Sequence, residues 1–252
     1  REALQERGTM LRLAPHLGHP LTTLLPLQSL WQRLYFGIGL GLYNLLAGRA
    51  RLAGSRFYHR RKLPRWLATD ALHGALSYQD GQFDDAAYAL ALARTAEASG
   101  ALLLTYCSVT GFEKNAQDRI RTVVAKDAHT GEALRLPTHS VLNATGPQAD
   151  ALRQMARPTA KPRLRPSQGV HIALPLPPGG MELGLLDPRT ADGRVLFLLP
   201  WQGHLLIGTT DTPVQDPHST PQPTTQDVKY ILGEANEWMN QPIRPQDIRA
   251  VW

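Results

Sequence analysis

The chain has 252 residues and a net charge of +6, and 42% of its residues are hydrophobic while 19% are charged. This composition indicates a globular protein with one large core or two smaller ones, and it excludes a long disordered tail. The single cysteine, Cys107, excludes an internal disulfide and favours a reducing compartment.

The N-terminal third is predicted to be mainly helical. We expect helices over residues 1–13, 30–46 and 63–75, with chain breaks at Pro15, Pro20 and Pro26 between the first two. A strand is expected to begin at Ala75.

The segment around the second helix suggests two alternatives. The helix is mostly apolar but too short to span a bilayer, which requires about 20 residues. Seven basic residues and no acidic one follow it: Arg49, Arg51, Arg56, Arg60, Arg61, Lys62 and Arg65. The helix and the basic segment together fit either a helix lying on an anionic membrane surface or a core helix followed by a solvated basic loop. No nucleic-acid-binding motif accompanies the cluster, so we expect no nucleic-acid partner.

The middle of the chain is predicted to alternate helix and strand. Asp84 or Asp85 is expected to cap a helix over 86–98 that ends at Gly100. Buried strands are expected over 102–107 and 140–144. Three β-runs separate them, with a turn at Thr130-Gly131, over 108–114, 120–127 and 133–136. This order indicates an α/β fold.

The C-terminal part is predicted to form an antiparallel sheet between two helices. The helices are expected over 149–155 and 226–238, the second capped by Thr225. A loop is expected over 213–223, and Asp192-Gly193 is a hairpin turn signal. The strands are predicted over 170–174, 181–185, 195–199 and 204–207.

Two strand ends have the composition of a ligand site. In residues 141–147, Val-Leu-Asn-Ala-Thr-Gly-Pro, an apolar run ends in small and hydroxylated residues, and residues 205–212, Leu-Leu-Ile-Gly-Thr-Thr-Asp-Thr, do the same. Such an end lets a ligand approach the backbone closely. Many α/β domains end a strand on Thr-Gly without a ligand, however. No zinc, metallohydrolase or serine-hydrolase motif is present, so no metal is expected.

Several motifs in one order resemble a known family. They are Asn-Ala-Thr-Gly-Pro (143–147), Gly-Val-His-Ile-Ala-Leu-Pro (169–175), Asp-Gly-Arg-Val-Leu-Phe-Leu-Leu-Pro-Trp (192–201) and Leu-Ile-Gly-Thr-Thr-Asp-Thr-Pro (206–213), together with residues 1–17 and 74–85. They are similar to the FAD-dependent respiratory glycerol-3-phosphate dehydrogenases, within the D-amino-acid-oxidase-like flavoproteins.

This resemblance implies a mixed α/β, or α+β, fold with part of a Rossmann-like FAD domain and an antiparallel substrate domain. We expect a helical part over 1–80, FAD-domain elements over 81–157, the substrate sheet over 158–223 and a returning helix over 224–252. The Gly-x-Gly-x-x-Gly turn with which the family binds the FAD pyrophosphate is missing. We therefore interpret the chain as an internal piece of a longer enzyme that is inactive alone.

The implied reaction is FAD-dependent oxidation of sn-glycerol 3-phosphate to dihydroxyacetone phosphate, with the electrons passing to a quinone. The implied location is cytoplasmic and peripheral on the inner membrane, and the resemblance allows a homodimer. The alternatives are another FAD-dependent amine or hydroxy-acid oxidoreductase of the same fold, or a catalytically silent membrane-docking piece.

The resemblance also suggests roles for individual residues, each of which has a structural alternative. His171 would bind substrate or act as general base, but it could be a core histidine. Thr209 and Thr210 would face the substrate, but they could belong to an ordinary turn. Near the cofactor, the resemblance places Val109, which could equally be a core valine, together with Thr145 and Gly146.

Overall fold

The computed structural model describes residues 2–214, 216 and 220–252. The helices within this part of the chain are α1 (Glu2–Leu13), α2 (Leu30–Ala47), α3 (Asp85–Ala98), α4 (Ala149–Ala156) and α5 (Thr225–Asn236), with 3₁₀ turns at Gly48–Ala50, Arg60–Lys62, Gly146–Gln148 and Pro245–Asp247.

The strands are β1 (Gly18–Leu27), β2 (Arg56–His59), β3 (Gly74–Phe83), β4 (Cys107–Lys114), β5 (Ile120–Asp127), β6 (Ala133–Pro137), β7 (Ser167–Gln168), β8 (His171–Pro175), β9 (Gly184–Asp187), β10 (Leu196–Trp201), β11 (His204–Gly208), β12 (Thr212–Pro213) and β13 (Ala250–Val251).

The chain divides into two compact units. The first contains residues 1–89, 168–212 and 221–252, and the second contains residues 90–167 and 213–220. The four segments expected from the sequence stay a prediction. The loop expected over 213–223 lies partly outside the described residues.

The first unit is built on an eight-stranded sheet in the order β13-β8-β11-β10-β9-β1-β3-β2. The predicted antiparallel arrangement of β8, β9, β10 and β11 is confirmed within a few residues of the expected bounds. The Asp192-Gly193 turn is also confirmed, and Gly193 has a φ of 84°, which glycine adopts without strain.

The two faces of this sheet are covered by different helices. Leu24 and Leu185 face a core closed by α5, whereas Leu25 and Leu186 face Phe36 and other residues of α2. Neighbouring residues along each strand therefore point to opposite faces, as the pleat requires.

The prediction of a chain break at Pro20 and Pro26 was wrong, because β1 runs through both residues. On the edge of β1 that faces β9, only Thr23 and Leu24 are paired, so Pro20 and Pro26 have no neighbouring strand on that edge. Proline is tolerated at such positions because no hydrogen bond from its nitrogen is required.

The helix predicted over 63–75 is also absent. The backbone of this segment bonds to residues distant in sequence instead of forming helical hydrogen bonds. The Ala68 amide donates to the Trp238 carbonyl at 2.8 Å, and Leu67 forms a β-bridge to Met239. Trp66 and Leu72 are buried in the core as a result.

The ends of α3 and α5 are capped by residues next to them in the sequence. Asp84 accepts a hydrogen bond from the Ala87 amide at 2.9 Å, and Gly100 has a φ of 92° just after α3. The predicted cap at Thr225 was one residue late. Thr224 caps α5 and forms a reciprocal capping box with Asp227.

The second unit contains the three-stranded sheet β4-β5-β6, which confirms the predicted meander and the turn at Thr130-Gly131. The strands predicted over 102–107 and 140–144 are not formed, apart from Cys107 at the start of β4. A strand requires a hydrogen-bonded neighbouring strand, and among the described residues no strand pairs with 102–106 or with 140–144. Their apolar side chains are exposed, most of all Leu142 at 93%.

The core around the first sheet provides a direct stability prediction. Leu198 is fully buried, so Leu198→Ala should lower the free energy of unfolding by about 2–5 kcal/mol. Leu45→Ala is the control, because Leu45 is 76% exposed and its truncation should change stability by only about 0.5 kcal/mol. Urea unfolding followed by tryptophan fluorescence measures both, and equal effects would contradict the assigned core.

Candidate functional site

The first unit brings three of the predicted site residues together. β8 and β11 pair in antiparallel register, with His171 opposite Gly208. Thr209 and Thr210 come directly after Gly208, so they lie beside the residues that precede His171.

The imidazole of His171 occupies the space that a side chain at position 208 would fill. A Cβ added to Gly208 would lie 2.3 Å from Cδ2 and 2.9 Å from Nε2 of that ring. The glycine is therefore required by packing rather than by backbone conformation. The sequence placed this glycine in a motif but did not indicate that it makes room for His171.

Trp252 completes the surroundings of the ring. Its indole is stacked on the imidazole, with centroids 5.8 Å apart and planes inclined by 17°. Two backbone hydrogen bonds between the same residues fix this arrangement, one of 2.9 Å from the His171 amide and one of 3.2 Å from the Trp252 amide. Sequence reasoning missed Trp252, because no local signal connects it to position 171.

The face of the sheet that carries His171 is identified by the register. His171 is paired with Gly208, Gly208 with Phe197, and Phe197 with Leu186. Directly paired residues share a face, and Leu186 packs on the side of α2. His171 therefore points away from the core formed with α5.

The electrostatic environment favours a neutral imidazole. Burial lowers the pKa of His171 below its ordinary value of 6.5 because it disfavours the charged form. At neutral pH the ring therefore has an unprotonated nitrogen that can accept a proton.

The two threonines differ in their surroundings. Thr209 is partly exposed, and its hydroxyl donates to the Thr210 carbonyl oxygen at 2.8 Å. A Cβ on Gly169 would lie 2.2 Å from that hydroxyl oxygen, so Gly169 makes room for it. Thr210 is only 2% exposed, and its Oγ1 accepts a hydrogen bond of 2.9 Å from the Val170 amide.

The three predicted cofactor residues lie in the second unit. Thr145 and Gly146 form an exposed turn before α4, held by Asn143, whose Oδ1 accepts from the Thr145 hydroxyl at 2.8 Å. Val109 is a partly buried residue within β4, next to a β-bulge, rather than at the end of a preceding strand.

The turn at Gly146 fits the approach of a large ligand. Gly146 has a φ of 56°, and no atom of the described residues beyond its chain neighbours lies within 4 Å of the position of a Cβ. Its backbone is therefore open, and the Thr145 hydroxyl lies beside it. Backbone amides and hydroxyls are suitable partners for the phosphate and ribose groups of a dinucleotide.

Comparison with known proteins identifies the family. The family described as FAD dependent oxidoreductase matches residues 1–252. The chain belongs to the FAD-dependent oxidoreductases. This membership confirms the expected cofactor, FAD, and the mixed α/β flavoprotein fold.

The chain is similar to mitochondrial glycerol-3-phosphate dehydrogenases. It is 38% identical to that of Mus musculus and 39% identical to that of Homo sapiens, in each case over 262 aligned residues. These alignments cover 100% of this chain and 36% of each relative, so the chain spans about a third of their length. The expected resemblance is thus confirmed along the whole chain.

Solved structures support the same fold. The glycerol-3-phosphate dehydrogenase from Bacillus halodurans, complexed with FAD, matches with a TM-score of 0.80 and 28% identity, covering 98% of this chain and 45% of that one. L-alpha-glycerophosphate oxidase from Mycoplasma pneumoniae, with FAD bound, matches with a TM-score of 0.73 over 99% of this chain and 66% of that one. At 14% identity, the second match shows the fold alone.

The contact between Gly208 and His171 predicts opposite effects for two glycine substitutions. Gly208→Ala should displace the imidazole and lower the free energy of unfolding by about 1–3 kcal/mol, because the added methyl group overpacks the site. Gly233→Ala, in α5, meets no atom within 4 Å and should raise stability by about 0.5–1 kcal/mol. Thermal unfolding of both variants is the measurement, and a neutral Gly208→Ala would contradict the contact.

Proposed function

We propose that this chain is the substrate-side part of an enzyme that oxidises sn-glycerol 3-phosphate to dihydroxyacetone phosphate with FAD and passes the electrons to a quinone. The main support is the neutral, partly exposed imidazole of His171 against Gly208, in a chain 38–39% identical over its whole length to glycerol-3-phosphate dehydrogenases. The chain covers 36% of the length of those relatives, so the complete activity belongs to this proposal.

In this proposal His171 accepts the proton of the C2 hydroxyl as the C2–H bond breaks. FAD supplies the acceptor for the hydride equivalent when it is bound. The lowered pKa of His171 keeps the ring neutral at neutral pH, so it is able to act as the base. The ring also has a fixed orientation, since Trp252 stacks on it and Gly208 admits it.

The other predicted residues hold the two ligands. The hydroxyl of Thr209 is partly exposed beside His171 and would bind an oxygen of the substrate. Thr145 and Gly146 would approach the phosphate and ribose part of FAD, and Val109 would contact its adenine end. Thr210 remains a predicted substrate contact only through its main chain, because its hydroxyl is buried.

His171 is expected to dominate turnover. In the full-length FAD-loaded protein, His171→Ala should lower kcat for glycerol 3-phosphate by about 10²–10⁴-fold, the usual contribution of a general base. His204→Ala is the matched control, since the His204 side chain is exposed and its Nδ1 contacts the Gln202 carbonyl in the adjacent turn. Unchanged turnover of His171→Ala with a lowered Tm would return His171 to a packing role.

The pH dependence gives a second test of the same role. The kcat/KM should fall as the pH drops through the lowered pKa of His171, because the protonated imidazole cannot accept the substrate proton. The acidic limb should disappear in His171→Ala. An unchanged acidic limb in that variant would assign the titration to another group.

We also propose that α2 and the basic segment dock on an anionic membrane surface. Large hydrophobic residues of α2 are exposed, namely Leu30, Trp31, Leu34, Tyr35, Ile38, Leu42, Leu45 and Leu46. The seven basic residues between positions 49 and 65, which follow α2 in the sequence, are all exposed as well. No helix among the described residues is both long and apolar enough to cross a membrane. Peripheral docking on the inner membrane and a homodimer stay predictions from the family resemblance.

Vesicle binding tests this docking. The full-length protein should co-sediment with anionic vesicles at low salt and be released by added salt, since each basic residue near the surface contributes about 1 kcal/mol. Changing Arg60, Arg61 and Lys62 to glutamine should weaken sedimentation, whereas changing Arg119, Arg121 and Lys126 of the second unit should not. Equal sedimentation of the first variant and the unaltered protein would reject electrostatic docking and leave a solvated basic loop.

A further inference from the structure

The pairing between β8 and β11 is irregular beside His171. Gly208 is paired with His171, so a regular antiparallel register would place Thr209 opposite Val170. Instead both backbone groups of Val170 bond to Thr210. The Val170 amide donates to Oγ1 of Thr210 at 2.9 Å, and the Thr210 amide donates to the Val170 carbonyl at 3.4 Å. Thr209 is therefore an extra residue, as in a β-bulge, and a bulge changes the direction in which a side chain points.

The hydroxyl of Thr209 lies on the same face of the sheet as His171. Val170 is buried in the core on the α5 side, and His171 points away from that core. Successive residues of an extended chain point to opposite faces, so Gly169 belongs to the His171 face. A Cβ built on Gly169 would lie 2.2 Å from Oγ1 of Thr209. The Thr209 hydroxyl thus occupies the place of the missing side chain at position 169.

The proton of this hydroxyl already has a partner. Oγ1 of Thr209 donates to the carbonyl oxygen of Thr210 at 2.8 Å. Turning the hydroxyl toward a ligand would break that bond, which is costly because Thr210 is only 2% exposed. A hydroxyl has one proton and two lone pairs. Since the proton is bound to Thr210, the oxygen of Thr209 can only accept a hydrogen bond from a ligand.

This polarity selects the ligand group that can face Thr209, which is partly exposed. A carbonyl, a carboxylate or a phosphate dianion has only acceptor oxygens and cannot donate to Thr209. A hydroxyl group can donate. Glycerol 3-phosphate has two hydroxyls, and in the proposed function the one on C2 gives its proton to His171. The hydroxyl on C1 is therefore the donor that remains for Thr209.

We propose that Thr209 is a specificity-determining residue that accepts a hydrogen bond from the C1 hydroxyl of the substrate. This inference rests on the proposed function, because it requires the C2 hydroxyl to give its proton to His171. The extra residue of the bulge thereby selects a substrate with two neighbouring hydroxyls over a 2-hydroxy acid, whose carboxylate has no proton to donate at neutral pH.

The test compares two substrates in the full-length FAD-loaded protein, glycerol 3-phosphate and its 1-deoxy analogue, a propanediol phosphate in which hydrogen replaces the C1 hydroxyl. In the unaltered protein, kcat/KM should be about 10–100-fold lower for the analogue, because the Thr209 oxygen is left without its donor. Thr209→Val should lower kcat/KM for glycerol 3-phosphate by about the same factor and leave the value for the analogue nearly unchanged. Thr209→Ser keeps the hydroxyl and should retain the preference for glycerol 3-phosphate.

Thr95→Val is the matched control for the loss of a threonine hydroxyl. Thr95 lies in α3, and its hydroxyl also donates to a backbone carbonyl, that of Ala91 at 2.7 Å. This variant should keep the unaltered kcat/KM for both substrates. Equal losses for the two substrates in Thr209→Val, or an unaltered protein that does not distinguish them, would overturn the inference and leave the proposed function standing. Inactivity of the unaltered protein toward both compounds would contradict the proposed function and the inference with it.

Discussion

The contact between the His171 imidazole and Gly208 is the constraint on which the candidate site depends. Any side chain at position 208 would overlap the ring, with 2.3 Å between the added Cβ and Cδ2. The ring is thus held within a paired sheet, where it is stacked on Trp252 and partly removed from water. The same burial that fixes its orientation lowers its pKa and prepares it to accept a proton.

Helix α5 closes the main core of the first unit. Ile231 and Ala235 are fully buried against the sheet, which fixes the helix by apolar packing. Glu234 lies on the same helix and accepts a hydrogen bond from the Ala191 amide of the loop between β9 and β10. Apolar packing and a polar contact therefore both hold α5 to the first unit.

Local chemistry made part of this structure predictable. Short apolar runs and the Asp192-Gly193 turn were sufficient to predict the strands β8 to β11, and Gly100 marked the end of α3. The motifs around His171 and Thr209 contain residues that the structure brings close together. These features depend on residues near one another in sequence.

Long-range contacts account for what could not be predicted. β1 tolerates Pro20 because β9, a strand distant in sequence, pairs with only two residues of β1 and leaves Pro20 without a partner on that edge. The segment 63–75 is not helical because its backbone pairs with Trp238 and Met239. The strand predicted over 140–144 lacks partners among the described residues. The hydrogen bond from the Val170 amide to Oγ1 of Thr210 joins two distant parts of the chain, so no pattern in the sequence indicates it.

Anaerobic reduction of the flavin is the most direct measurement of the central claim. The full-length protein with FAD bound would be mixed with glycerol 3-phosphate or with an amino acid such as L-proline, and loss of the oxidised-flavin absorbance would be followed in each case. We expect glycerol 3-phosphate to reduce the flavin completely and the amino acid to leave it oxidised. Reduction by the amino acid and not by glycerol 3-phosphate would contradict the proposed substrate and assign the site to amine oxidation.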